Sequence, residues 1–427
     1  VMTPDALTDS ARTDGAPIAV ATLRDLRAQA LRPAPVPVSL PAAVPVGPPL
    51  LIARSSLADG QVRAATRNWI AAHAGQYRVA HPGDETLLHA VETSALGRPP
   101  IEAVARSIDA DLADVYLRLA RRWLDLAKGS ADPRYLNAAL KLLSVCLIAP
   151  LPATELAADT LARSLEALDT LTVHPPRPAD PPLPAVAETG TNEPATMLEP
   201  RIAVLAGADS RGLPQFLAAA RNLPITGVVL HEAGQRAEPP RSAYASAWYP
   251  ASGNTPPRPA PEPSAVPHQR AAHRDWPTVA AHLADWRTDL LVLIGMDVVP
   301  ATVLAVPHLG TINAHNGALP GYRGMDAVAW AVLAGDPVEC SVHHVTDDVD
   351  AGHVLAAREV PTGIPDLRQA VKDTQLELLT DVCRNVAATG VLSAGQPQTG
   401  TARRHYRMHP ALRQRLDTAP RLNGAAS

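Results

Sequence analysis

The sequence predicts an open α/β sheet, rich in parallel strands, preceded by a small all-α domain. Three observations carry this. A short apolar run at 201–207, a helical stretch at 213–222 and a second apolar run at 225–230 make a strand–helix–strand opening. That unit builds parallel sheets through a right-handed crossover. The run Leu290, Leu291, Val292, Leu293, Ile294 is apolar without alternation, as expected of a strand buried on both faces. Upstream, between residues 56 and 171, apolar side chains recur at three- and four-residue steps instead, the helical period.

In chain order, residues 1–55 form a flexible, Pro-rich N-terminal segment. Residues 1–16 are polar and frayed, 18–31 suit one amphipathic helix, and prolines make 33–49 extended and polyproline-like. The helical domain is placed at 56–172. Its expected helices are 61–74, 84–96 behind an acidic start, 111–128, 134–148 and 152–171. The clearest is 111–128, where Leu112, Val115, Leu119 and Leu126 share a face and Gly129 supplies a stop. Asp132-Pro133 caps and starts the next, and Pro150 ends it. The run from Tyr135 to Lys141 reads as a core-facing helix. Residues 173–199, again rich in Pro, Ala, Thr and Glu, read as an interdomain linker.

The second domain spans 200–395. The turn at 207–212 is not Gly-x-Gly-x-x-Gly, so no dinucleotide site is expected there. Residues 238–269 are polar and proline-rich, a long surface excursion. Then follow a helix at 276–286, the strand 290–294, a loop at 295–300, a strand at 310–315, a helix at 326–334, a turn at Gly335-Asp336, a strand at 341–345 and a long helix at 366–388. Residues 396–427 form a C-terminal tail, whose basic run at 403–410 is expected to cover the domain surface.

Composition narrows the function classes. The 427 residues are 46% hydrophobic but only 3% aromatic, with a single Phe, so the cores must be packed with aliphatic side chains. The net charge of −4 does not suggest a nucleic-acid protein. The three cysteines, Cys146, Cys340 and Cys383, are scattered and make neither a disulfide framework nor a metal-ligand cluster. A reducing, cytoplasmic setting fits. No secretory signal is visible in the first residues, and no apolar run approaches the ~20 residues of a membrane span.

The chemistry concentrates between residues 310 and 355. Asn313 and His315 stand two apart on a strand and share a face, so an amide donor and an imidazole can address one carbonyl together. Asp350 closes the run from Ser341, where Asp-Ala-Gly breaks the strand pattern. A carboxylate there orients the imidazole or takes a proton from a nucleophile, directly or through a water. Which of Asp350 and His315 is the general base is left open. No metal is implied, because His343 and His344 are strand neighbours facing opposite sides.

Asn313-Ala-His315, then Leu319-Pro320-Gly-Tyr322-Arg323-Gly324, then Asp350-Ala-Gly352 together resemble the 10-formyltetrahydrofolate-dependent formyltransferase family. The one departure is Ala318, where that family usually has Leu. The resemblance covers residues 200–390 and implies a Rossmann-like catalytic domain, with Asn313, His315 and Asp350 as the catalytic residues. It implies 10-formyltetrahydrofolate as formyl donor and no metal. By position it assigns donor contacts to Asp297, Val298, Val299, Asp347 and Asp348, and a supporting role to His343. Ala208 and Asp209 interrupt the turn that cradles phosphate in the purine-pathway members, which puts a phosphoribosyl acceptor in doubt. The short tail and the acidic balance argue against tRNA. The expected acceptor is therefore an amine of a small molecule or a carrier-tethered group in specialised metabolism. The helical domain is assigned to substrate presentation, carrier contact or self-association. A formyltetrahydrofolate hydrolase and an inactive binding or assembly module are the alternatives.

Overall fold

The computed structural model describes residues 108–149, 151–152, 154–173, 199–208, 210–232, 266–362 and 366–418, with the single positions 85, 88, 89, 91, 92 and 105. These fall into two compact units. Among the described residues, one holds those up to Thr172 together with 406–418; the other holds those from Val173 to His405. The Pro-rich segment at 33–49, the expected helices at 18–31 and 61–74, and residues 174–198 of the expected linker lie outside the described residues.

The first helix of this unit that is described from end to end is α1 (Ala110–Ser130), whose first turn is closed by the Asp109 carboxylate accepting from the Leu112 N–H. Helix α2 (Pro133–Ile148) starts on Pro133 behind an Asp132 cap. Helix α3 (Glu155–Thr170) is capped by Thr154. Helix α2 is buried almost all round, and the run from Leu136 to Lys141 lies in the core of this unit. A helix so enclosed must pair its polar groups internally. The Lys141 ammonium meets Glu92 at 2.5 Å, and the Asn137 amide donates to the same carboxylate at 3.2 Å.

The α/β unit is a seven-stranded mixed sheet in the order β3-β2-β1-β4-β5-β7-β8. Strand β1 (Ile202–Gly207), α4 (Gly212–Ala219) and β2 (Ile225–His231) form the expected crossover. Next come β3 (His268–Ala271), α5 (Trp276–Asp285), β4 (Leu290–Ile294), the single turn α6 (Ala301–Leu304) and β5 (Gly310–His315). All of these strands pair in parallel. The two-residue β6 (Arg323–Gly324) lies outside the main sheet; α7 (Ala327–Ala334) follows it. Strands β7 (Val338–His344) and β8 (Val354–Val360) then complete the sheet as an antiparallel pair, and α8 (Leu367–Thr389) follows.

Alternation along each strand sorts side chains into two cores. Ile202, Val204, Val292, Ile312 and Val342 pack with Phe216 of α4 and Leu379 and Cys383 of α8. Ala203, Leu205, Leu291 and Leu293 pack with Val279 and Leu283 of α5 and Val303 of α6.

Three features depart from the sequence reading. Residues 268–271, the first two of them expected to close a surface excursion, form β3, an exposed edge strand with only Ala271 buried. Its polar composition hid it. Strand β8 was not expected either; Ala357, Arg358 and Glu359 are exposed at the sheet edge, so it too lacks an apolar signature. The segment after 395 is no separate tail. Gln396 bridges to Val354, and β9 (Arg404–His405) pairs with β6. Residues 406–418, including α9 (Pro410–Thr418), pack into the helical unit. The expected surface run thus buries His405, Tyr406, Met408 and His409. His409 enters the core with both ring nitrogens partnered. His409 accepts from the Ala411 N–H at Nδ1 and meets Ser144 at Nε2, and burial followed by the Lys141 charge hold it well below its ordinary range.

Candidate active site

Strand β5 runs parallel beside β4, with Leu293 opposite Asn313, and so delivers Asn313 and His315 at the carboxyl end of the parallel half of the sheet. In open α/β sheets that end is where ligands bind. On its other side β5 pairs antiparallel with β7, placing His343 opposite Asn313 and Ser341 opposite His315. Residues opposite one another share a face. The β7 side chains on this face are therefore polar, while Cys340 and Val342 point into the core behind.

Asp350 reaches the same place from the bend between β7 and β8. It adopts the left-handed conformation, φ 53°, which an Asp side chain tolerates better than most. Gly352 closes the bend against β7 so tightly that a Cβ there would sit 1.9 Å from the His344 carbonyl oxygen. The Asp350 carboxylate accepts from the Gly324 N–H at 2.8 Å. It also lies 3.5 Å from His315 Nδ1 through one oxygen and 3.5 Å from His343 Nε2 through the other. His343 Nε2 is in turn 3.5 Å from the Asn313 amide nitrogen, and its Nδ1 donates to the His344 carbonyl at 2.7 Å.

The His315 ring is almost fully buried, at 6% exposure, and is held at both nitrogens. Nε2 donates to the Tyr322 carbonyl at 2.6 Å, while Nδ1 faces Asp350. The sequence reading did not foresee the Tyr322 contact, and it changes which nitrogen is available: the proton-accepting side of a neutral ring is Nδ1. Tyr322 is itself fixed, its hydroxyl donating to Asp336 and its ring stacked on His405. Burial holds His315 below its ordinary 6.5 against the opposing pull of Asp350 and the Tyr322 carbonyl. For Asp350, burial alone would raise the carboxyl. The neighbouring His343 ring, the His315 charge and the Gly324 N–H outweigh it and hold the group at about 2. Near neutral pH the arrangement is a carboxylate facing a neutral imidazole, a pair able to share one arriving proton.

The remaining sequence-assigned positions lie in the loops after β4 and β7. Asp297 and Val298 are exposed in the loop after β4, Val298 at 57%, while Val299 is buried in the core beneath. Asp297 is near enough to His231, at the end of β2, to act on its ring through charge. Asp347 and Asp348 are exposed just before Asp350. Among the described residues no group of His, Cys, Asp and Glu is placed to hold a metal ion, and no helix is long and apolar enough to cross a membrane. Asp209 lies outside the described residues.

A formyl transferase family profile matches residues 232–382, the span that contains Asn313, His315, His343 and Asp350. Over that span the α/β unit is similar to the formyl transferase family. A curated relative, methionyl-tRNA formyltransferase of Bacteroides fragilis, is 31% identical over 97 residues, covering 22% of this chain and 30% of the relative. The methionyl-tRNA formyltransferase of Deinococcus radiodurans is 36% identical over 101 residues, covering 23% of this chain and 31% of the relative. The match thus spans under a third of the length of these relatives. Among solved structures, glycinamide ribonucleotide transformylase 1 from Symbiobacterium toebii aligns with a TM-score of 0.35 and 23% identity, over 51% of this chain and 99% of that one.

Proposed function

We propose that this formyl transferase unit moves a formyl group from 10-formyltetrahydrofolate to an amine, with Asn313, His315 and Asp350 as the catalytic residues. The observation that carries the reading is the convergence of an amide, two imidazoles and an ionised carboxylate on one face at the carboxyl ends of β4 and β5.

Formyl transfer needs a donor aimed at the carbonyl oxygen, which gains negative charge as the amine attacks, and a route for the proton that the amine loses. Asn313 supplies the donor. His343 lies against its amide and orients it, and one such donor is typically worth ~100- to 1000-fold in rate. The proton passes to the His315–Asp350 pair, which would return it to the donor nitrogen as that nitrogen's bond to the formyl carbon breaks, so that tetrahydrofolate leaves and the amine keeps the formyl group. Asp350 is ionised and His315 is neutral near pH 7, so the pair has room for one proton.

The folate supplies the formyl group itself. The loop after β4 suits its pterin in one respect: Val298 presents apolar surface beside exposed Asp297, with Val299 anchoring the backbone below. Asp347 and Asp348 are exposed carboxylates suited to pterin N–H donors; they would repel the anionic tail.

The acceptor is read as an amine on a small molecule or a carrier. The curated relatives are methionyl-tRNA formyltransferases, so the panel that tests this reading includes a methionyl-tRNA. Incubation with 10-formyltetrahydrofolate and the panel, followed by mass spectrometry, should show an acceptor gaining one formyl group. Donor consumption that no acceptor changes would replace this reading with hydrolysis.

A further inference from the structure

We propose that Gln398 is a positioning residue that holds Asp350 against His315 and His343. The inference rests on the reading of Asp350 and His315 as the proton-handling pair.

Gln398 lies in the irregular segment after α8, 48 residues beyond Asp350 in sequence. Its amide nitrogen donates to the Asp350 carbonyl at 2.8 Å and to the Gly352 carbonyl at 2.7 Å. Its amide oxygen accepts from Arg323 Nε at 3.0 Å and from a second nitrogen of the same guanidinium. An amide has two donors and two lone pairs, and all four are used here. Its backbone is fixed as well, because Gln396 exchanges both hydrogen bonds with Val354, at 2.7 and 2.9 Å.

These bonds make a closed circuit around Asp350. Gly324 N–H grips the carboxylate, while its neighbour Arg323 grips Gln398, which holds the Asp350 and Gly352 carbonyls. The side chain and main chain of Asp350 are thus both tied to β6. A non-glycine residue at positive φ persists only where its surroundings over-determine it, and Gln398 supplies two of the bonds that do so here. The charged and titratable groups facing Asp350 are His315 on β5, His343 on β7 and, through Gln398, Arg323 on β6. Without the Gln398 donors the bend can turn, and the 3.5 Å spacing to both imidazoles is no longer enforced.

The test is Gln398→Met in the full chain, which keeps the length of the side chain and removes both donors. Three quantities are read: the titration of His315 by ring NMR, assigned through loss of its signal in His315→Asn; the affinity for a non-reactive folate analogue; and kcat for formyl transfer. Losing Asp350 from its place withdraws a group that favours the imidazolium, so His315 should titrate at lower pH than in the wild type. Folate affinity should stay unchanged, and kcat should fall on the order of 10- to 100-fold, as for misplacement by about an ångström. An unmoved His315 titration in a folded Gln398→Met protein overturns the proposal and leaves Gln398 a purely structural tie. If Gln398→Met does not fold, Gln398→Ala, which removes the donors and adds no charge, is read the same way. The NMR titration needs no turnover, so a wild type inactive with every acceptor would sink the functional reading while the role of Gln398 is still decided.

Discussion

Replacing Asp350 by Asn tests the proton-handling pair most sharply, because little else changes. Asn is isosteric, tolerates positive φ, and keeps an oxygen to accept from the Gly324 N–H. What it loses is the charge. The Asp350 carboxyl lies at about 2 instead of the ordinary 3.8, a difference worth roughly 2–3 kcal/mol at ~1.4 kcal/mol for each tenfold change in acidity. The carboxyl is depressed in the folded state, so its contribution to stability is present above pH 3.8 and is lost as pH falls through about 2. Asp350→Asn should therefore destabilise the fold by no more than that amount at neutral pH. Its effect on rate should be larger: loss of a proton acceptor typically lowers kcat by ~100- to 10,000-fold. Loss confined to the transition state lowers kcat and kcat/KM together. The assay is steady-state formyl transfer at saturating donor across pH 5 to 9, a window of about four pH units around neutrality. Because His315 sits below 6.5 already, the acid limb of wild-type kcat/KM should lie below that value. The residual activity of the variant should show it shifted further to acid. Turnover within about threefold of wild type, far smaller than general-base loss gives, would refute the assignment of Asp350.

Other expectations follow from the same structure. Asn313→Ala and His315→Ala should abolish transfer with melting temperature little changed for Asn313, and with a modest loss for the buried His315, measured by calorimetry beside the activity assay. Lys141→Met strands the buried Glu92 carboxylate. Chemical denaturation should show a loss of roughly 3–5 kcal/mol, largely recovered when Glu92→Leu is added. An unchanged midpoint for the single variant would contradict the pairing. Limited proteolysis should cut first within residues 173–199, where the Pro-rich composition promises few packed contacts; earlier cleavage elsewhere would move that boundary.

The parts of this architecture that were legible in the sequence are those with local signatures. The buried strand 290–294 shows as an uninterrupted apolar run, and the pairing of Asn313 with His315 on one face follows from a two-residue step. Asp350 was legible through the family resemblance, because no local pattern says that a bend after β7 returns to β5. The contact of His343 with Asn313 needed the register of an antiparallel pair whose members are 30 residues apart. Gln398 carries no signal at all, since its role exists only once Arg323 and the Asp350 bend have met. Edge strands β3 and β8 escaped because exposed strands need no apolar alternation. The C-terminal basic run read as surface because burying His409 depends on Asn137 and Ser144, far away in sequence: the Asn137 side chain accepts the His409 N–H at 2.6 Å.

The most direct test of the account is a comparison of wild type with His315→Ala in the presence of 10-formyltetrahydrofolate and the amine panel, read by mass spectrometry. The account predicts that at least one acceptor gains a single formyl group with the wild type and none does with the variant. Equal formylation by the two proteins, or a wild type that binds folate yet transfers nothing to any acceptor, would contradict it.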